Sequence, residues 1–312
     1  MIEAAAAPNP RMNVYAAPQT LVKVNGRRRL NLYISGEGAP TVILAPGMGG
    51  TTLSWGRVQR HVAAYTRVVS FDHAGMGFSD PGPLPRTSQA IVSDLRAALK
   101  TAGIAPPYVI AGHSAGGMHM RLFAFLHPDE VAGMVMVDSS SAYQGPRLFE
   151  GKGARRWERQ NAERLARLAG QARAGTLTAD SPDFATAVGE PDPTLTPELN
   201  AAVQAQHTSP AYWRALQSES AAFGKASSEQ LAAARRPLGD MPLIVLTAGK
   251  LAVSATESAT PAQLAAWTGM HDEIAALSSR GVRRTIDCGH NIQVEQPRAV
   301  TEAIEEVVGM VR

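Results

Sequence analysis

Short, unbroken apolar runs separated by turn residues set the rhythm of this chain. The segments TVILAPG, RVVSFD, PYVIAG, VAGMVMVDSS and MPLIVLTAG each hold four or more consecutive apolar or small positions with little polar alternation. That is the pattern of strands covered on both faces. Between them the period changes. SQAIVSDLRAALKTAG places Ile91, Leu95, Ala98 and Leu99 on one helical face, with Gly103 as a stop. A further helix is expected from Gly116 to His127, halted by Pro128, and others near Trp55–Tyr65, 261–280 and 297–311. RRTIDCG supplies the last strand. At the N-terminal end, LVKVNGRRRLNLYISGEG reads as two strands about a tight Asn25-Gly26 turn. Strands alternating with helices predict an α/β fold, with a mostly parallel twisted sheet, an N-terminal antiparallel hairpin and helices on both faces.

Residues 142–240 break the alternation. They carry Ala- and Arg-rich helical pieces and the loop SPDFATAVGEPDPTLTPE, without a strand pattern. The expected organisation is a core of residues 19–141 and 241–312, with 142–240 inserted as a helical cap. Such an insertion lies over the carboxyl ends of the strands, where open α/β sheets bind ligands. Residues 1–18, rich in Ala and Pro, are expected to form a loosely held arm.

Composition narrows the function classes. Of 312 residues, 45% are hydrophobic and 18% charged, and the formal charge is +3. The Lys and Arg residues are scattered, and RRWER reads as a solvated helix face, so no nucleic-acid partner is expected. Cys288 is the only cysteine, which excludes an intramolecular disulfide and CxxC metal sites. The start, MIEAAAAPNPRMN, lacks the basic and apolar regions of a signal peptide, and no run approaches a membrane span. A soluble, cytoplasmic protein is the expectation.

The chemistry concentrates in VIAGHSAGG. Ser114 follows a strand and opens a helix, the context required of a G-x-S-x-G nucleophile elbow. So sharp a turn strains the serine backbone and leaves its neighbours no room, which Gly112 and Gly116 supply. The helix N-terminus beneath favours a developing oxyanion. A serine nucleophile needs a base. Of eight histidines, His290 sits just after the last strand, at the same sheet edge as the elbow. His113 should point away from the nucleophile, His119 and His127 lie on the helix below, and His73 is a candidate pocket residue. Ala115 supplies one oxyanion N–H, and Met48, in the loop PGMGG, the other. A dinucleotide fingerprint fails there, because Thr52 stands where glycine would be needed.

From about residue 20 onward, PGMGG, FDHAGMGFSD, GHSAGG and GHNIQVEQP resemble an α/β-hydrolase-fold protein. The chain is most similar to the branch of small esterases, lactonases, cofactor-free haloperoxidases and epoxide-hydrolase-like proteins. The resemblance implies an acid that orients His290, and here the sequence departs from the usual pattern. The strand PLIVLTAG is followed by KLAVSATES, whose first acid, Glu257, lies far along. Some relatives place the acid after the preceding strand, which here ends at Asp138. Asp138 is favoured over Glu257, and Asp272 and Asp287 are weaker candidates.

Epoxide hydrolases and dehalogenases of this fold use Asp at the elbow and dienelactone hydrolases use Cys, so Ser114 implies acyl transfer to water. Met48, Met76, Phe78, Tyr143, Tyr212, Trp213 and Phe223 suggest an apolar pocket for a medium-sized acyl substrate, with no cofactor or metal. Carboxylic-ester or lactone hydrolysis is the leading expectation. C–C hydrolase, aminopeptidase, acyltransferase or perhydrolase activity, and non-hydrolytic binding, are the alternatives.

Overall fold

The apolar runs become the strands of one sheet in the computed structural model, which describes residues 8–149, 151–178, 180–254 and 257–312. In chain order they are β1 (Thr20–Val24), β2 (Arg28–Ser35), β3 (Thr41–Ala45), β4 (Val68–Phe71), β5 (Tyr108–His113), β6 (Val131–Val137) and β7 (Leu243–Ala248). A small antiparallel pair, β8 (Ala252–Ser254) and β9 (Glu257–Ser258), precedes the last strand, β10 (Gly281–Ile286). The main sheet runs in the order β1-β2-β4-β3-β5-β6-β7-β10, with β2 antiparallel to both neighbours and every other pair parallel. The hairpin turns at Asn25 and Gly26, both in the left-handed region, as an Asn-Gly turn requires.

Alternate residues of the central strands enter two cores. Val42, Leu44, Val109, Ala111, Val135, Val137, Ile244 and Leu246 face one side, where they meet α1 (Gly56–Val62) and α12 (Pro297–Val311). Ile43, Ile110, Met134, Met136, Leu243 and Val245 face the other, against α2 (Ser88–Thr101), α3 (Ala115–Leu126) and α10 (Pro261–Ala275). Burial on both faces explains why these strands read as continuous apolar runs. β10 differs because it is an edge strand: its burial alternates, and Arg283 and Arg284 pair outward with Asp272 and Glu306.

Residues 142–240 form α4 (Gln144–Leu148), α5 (Gly153–Ala174), α6 (Phe184–Val188), α7 (Pro197–His207), α8 (Pro210–Ala222) and α9 (Ser228–Ala234). Leu165, Leu168 and Ala172 of α5 pack on Tyr212, Trp213 and Ala215 of α8, and Met76 of the core joins that cluster. A short helix, α11 (Ile292–Glu295), follows the expected catalytic histidine. The Ala/Pro-rich start departs from a loose arm over its described part. Pro10–Ala16 form a 3₁₀ helix capped by Asn9, and Met12 and Tyr15 are buried with Leu199 of α7. Two apolar anchors among small residues are enough to hold it, and composition averages hide them. Among the described residues, no helix is long and apolar enough to cross a membrane.

Leu44 lies fully buried at the centre of the sheet. Leu44→Ala is expected to lower the unfolding free energy by about 2–5 kcal/mol, read as a lower urea midpoint with an unchanged denaturant slope.

Candidate active site

Strand β5 and helix α3 join at a single residue. Ser114 has φ +51° and ψ −124°, a conformation that side chains rarely adopt. Its surroundings show why the flanking residues are glycines. A Cβ on Gly112 would lie 2.6 Å from the Gly116 carbonyl oxygen, and one on Gly116 would collide with the Pro46 carbonyl. A Cβ on Gly117 would strike the Ser139 side chain. The turn is held from both sides, since Ser114 N–H donates to the Val137 carbonyl at 3.1 Å and Ser140 N–H donates to the Ser114 carbonyl at 2.9 Å.

The loop after β3 packs directly on this turn. A Cβ on Gly47 would sit 3.2 Å from the Ser114 Cβ, so the Gly47-Met48 backbone runs beside the serine. Neither the Met48 nor the Ala115 backbone N–H donates to a protein acceptor among the described residues. Asp72, fully buried at the end of β4, fixes the loop from below: its oxygens accept from the N–H groups of Thr52 (2.7 Å) and Phe78 (3.0 Å) and from Asn31 Nδ2 (2.8 Å). Burial pushes the Asp72 carboxyl up, and those hydrogen bonds oppose it. Above the loop, Tyr212 of α8 donates its hydroxyl hydrogen to the Gly49 carbonyl at 3.2 Å.

Asp138 and His290 come together from positions 152 residues apart, with Asp138 Oδ2 and His290 Nδ1 at 2.6 Å. Asp138 is wholly buried at the end of β6, with φ +42°. Its other oxygen accepts from the Ala248 N–H at 2.9 Å and from Trp267 Nε1–H at 2.8 Å. Burial alone would raise the carboxyl, but the bond from His290, the charges of His290 and His271, and the Ala248 N–H outweigh it and hold it below the usual range. Asp138 is therefore a carboxylate at neutral pH. A carboxylate only accepts, so the His290–Asp138 contact is an Nδ1–H donated to Oδ2. Ser114 Oγ makes no hydrogen bond to the His290 ring in this structure; contacts of this kind commonly tighten only when substrate is bound.

His113 packs against His290. Its ring lies 4.6 Å from that of His290, centroid to centroid, and its Nε2 is 3.0 Å from the His290 carbonyl. A carbonyl only accepts, so the proton is on Nε2. Burial, with the His290 charge adding to it, takes His113 down to about 3 and keeps it neutral. Gly289 N–H donates to Glu295 at 2.8 Å, which closes the loop around His290. Cys288 is buried beside it, its thiol pushed up to about 11 by that burial, and so remains protonated.

The weaker acid candidates lie elsewhere. Asp272 pairs with Arg283 at 2.6 Å and Asp287 with Lys250 at 3.0 Å, both largely exposed. The Glu257 side chain lies outside the described residues. His73 is buried against Glu219 rather than open to a pocket. Sequence reasoning assigned no role to Trp267, which lies in no motif, or to Asp72, which lies within FDHAGMGFSD: only the folded contacts reveal that one completes the shell of Asp138 and the other anchors the Met48 loop. Tyr143 lines a cavity of about 200 Å³ between α3, α9 and α10 that includes Arg121 and Met270 and does not reach Ser114 or His290.

A sequence model of the alpha/beta hydrolase fold matches residues 40–297. Among curated proteins, "Probable transporter efuK" of Hormonema carpetanum is 33% identical over 131 residues, covering 39% of this chain and 19% of that protein. "Uncharacterized protein YqjL" of Bacillus subtilis (strain 168) is 25% identical over 273 residues, 87% of this chain and 85% of its own. Among solved structures, the ligand-free epoxide hydrolase CorEH superposes with a TM-score of 0.71 at 18% identity, covering 94% of this chain and 98% of its own. A malate-bound thermophilic esterase from Thermogutta terrifontis gives 0.64 at 20%, covering 95% and 99%. At such identities the structures speak for the fold alone.

Trp267→Phe removes one of the two N–H donors to Asp138 Oδ1. The variant is expected to fold with stability reduced by about 1.5–3 kcal/mol in chemical denaturation, the range for a hydrogen bond to a charged group.

Proposed function

The chain belongs to the alpha/beta hydrolase fold family, and we propose that within it this protein is a serine hydrolase of carboxylic esters or lactones. The observation that carries the reading is the nucleophile itself. A serine, held at φ +51° between Gly112 and Gly116, shares the sheet edge with a His290–Asp138 pair 2.6 Å apart. The fold does not choose among chemistries, since its neighbours include both an epoxide hydrolase and an esterase. Ser114 supports acyl transfer, because a hydroxyl activated by a histidine forms an acyl-enzyme.

In the proposed cycle His290 Nε2 takes the proton of Ser114 Oγ as the oxygen attacks the substrate carbonyl. Asp138 holds the ring by Nδ1–H and stabilises the imidazolium without itself taking the proton. The negative charge that develops on the carbonyl oxygen is received by the Met48 and Ala115 N–H groups. Each such donor is worth on the order of 3 kcal/mol in the transition state. His290 then protonates the leaving alkoxide, and a water, activated by the same ring, releases the acid and regenerates Ser114.

Residues 142–240 act as the cap in this reading. The contact of Tyr212 with Gly49 seats α8 on the loop that carries Met48. Apolar side chains at that seam suit a medium-sized, uncharged acyl substrate. The seam thus ties substrate choice to the same loop that supplies an oxyanion donor.

The test is steady-state kinetics on a panel of nitrophenyl esters and small lactones. Ser114→Ala is expected to lose at least about 10⁴-fold in kcat/KM, and Asp138→Asn about 10²–10⁴-fold, mainly in kcat. Wild-type rates in Ser114→Ala on every hydrolysed substrate contradict the reading.

A further inference from the structure

Away from Ser114, three side chains with ligating atoms meet where the inserted helices sit on the core. His73 lies just after β4, His119 near the start of α3, and Glu219 toward the end of α8, so three separate elements converge. Each is at most 2% exposed. Glu219 Oε2 is 3.3 Å from His73 Nδ1, and Oε1 is 3.3 Å from His119 Nε2. One ligating atom from each residue lies within 4.8 Å of the others.

These separations decide between two uses of the cluster. A charge-assisted N–H···O⁻ bond is usually about 2.7–2.9 Å long, and both contacts exceed that. Donors placed tetrahedrally about a zinc ion at about 2.0–2.2 Å stand roughly 3.3–3.6 Å apart. Both contacts match the second spacing. The two carboxylate oxygens lie too close together to fill two tetrahedral positions, so the set offers three protein donors, one from each residue, and a water would supply the fourth.

We infer that His73, His119 and Glu219 form a binding site for one divalent transition-metal ion of the zinc type, which fastens helix α8 to the core. Two imidazole nitrogens and a carboxylate, with no thiolate, select zinc or its near neighbours over calcium and magnesium, which take oxygen ligands. Ser88 Oγ lies 2.8 Å from His119 Nδ1, so the far nitrogen of that ring has the hydroxyl partner that orients metal-bound histidines. The three residues are buried and none of them bonds to Ser114, His290 or Asp138, so the ion's role is to hold α8 to the core.

The experiment uses untagged full-length protein, dialysed against a chelator and then titrated with Zn²⁺ by calorimetry and Co²⁺ by visible absorption. One ion per chain is expected, together with the intense d–d bands of tetrahedral Co²⁺ and a thermal midpoint that rises on adding Zn²⁺. Glu219→Gln should abolish the bands. Ser88→Ala, which keeps every ligand, should fold and bind about 10–100-fold more weakly. The inference is overturned if folded wild-type protein binds no ion, or if its thermal midpoint is the same with and without Zn²⁺. Cobalt bands that persist unchanged in Glu219→Gln, or an affinity that Ser88→Ala leaves unchanged, overturn it as well, because they place the ion elsewhere.

Discussion

The left-handed backbone at Ser114 is the constraint around which the rest of the site is arranged. A strand that ends one residue before a helix begins can turn only if that residue leaves ordinary φ/ψ space, and such strain persists only where the surroundings over-determine it. Here they do. Gly112, Gly116 and Gly117 lie against one another, the Pro46 carbonyl and Ser139, with no space for a Cβ. The packing that forbids side chains at these glycines is also what brings the Met48 loop, the end of β6 and the elbow into one place.

From that turn the other groups follow by sheet topology. β3, β5, β6 and β7 are consecutive parallel neighbours, so the loops after them open at one edge. Each supplies a different part: the Met48 loop after β3, Ser114 after β5, Asp138 after β6, and the Ala248 N–H that holds Asp138 from the end of β7. β10 pairs beyond β7 and delivers His290 to the same edge. Parallel strands put unlike chemistry side by side without any of it being near in sequence. The buried Asp138 carboxylate is stabilised by three donors, from His290, Trp267 and Ala248.

The parts of this arrangement with a local signature were legible in the sequence. Continuous apolar runs gave the buried strands, Asn25-Gly26 gave the hairpin, and GHSAGG gave the elbow because its strand and helix lie within a dozen residues of Ser114. Asp138 is legible only through resemblance to relatives that carry the acid after this strand. What the sequence withheld is contact between distant elements. Trp267 sits on a helix 129 residues from the carboxylate it serves, and nothing in WTGMHDE marks it. Asp72 looks like any strand-end acid until Thr52, Phe78 and Asn31 close on it. Met12 and Tyr15 are invisible within an Ala/Pro-rich start, and His73, read as a pocket residue, is buried because Glu219 arrives from α8.

The central claim is that Ser114 is a nucleophile activated by its turn and by His290. It is tested most directly by incubating the protein with an active-site serine phosphonate and mapping the adduct by peptide mass spectrometry. The account predicts one phosphonyl group per chain, located on Ser114, with labelling abolished when His290 is replaced by Ala. An unlabelled protein, or an adduct on any other residue, would contradict it.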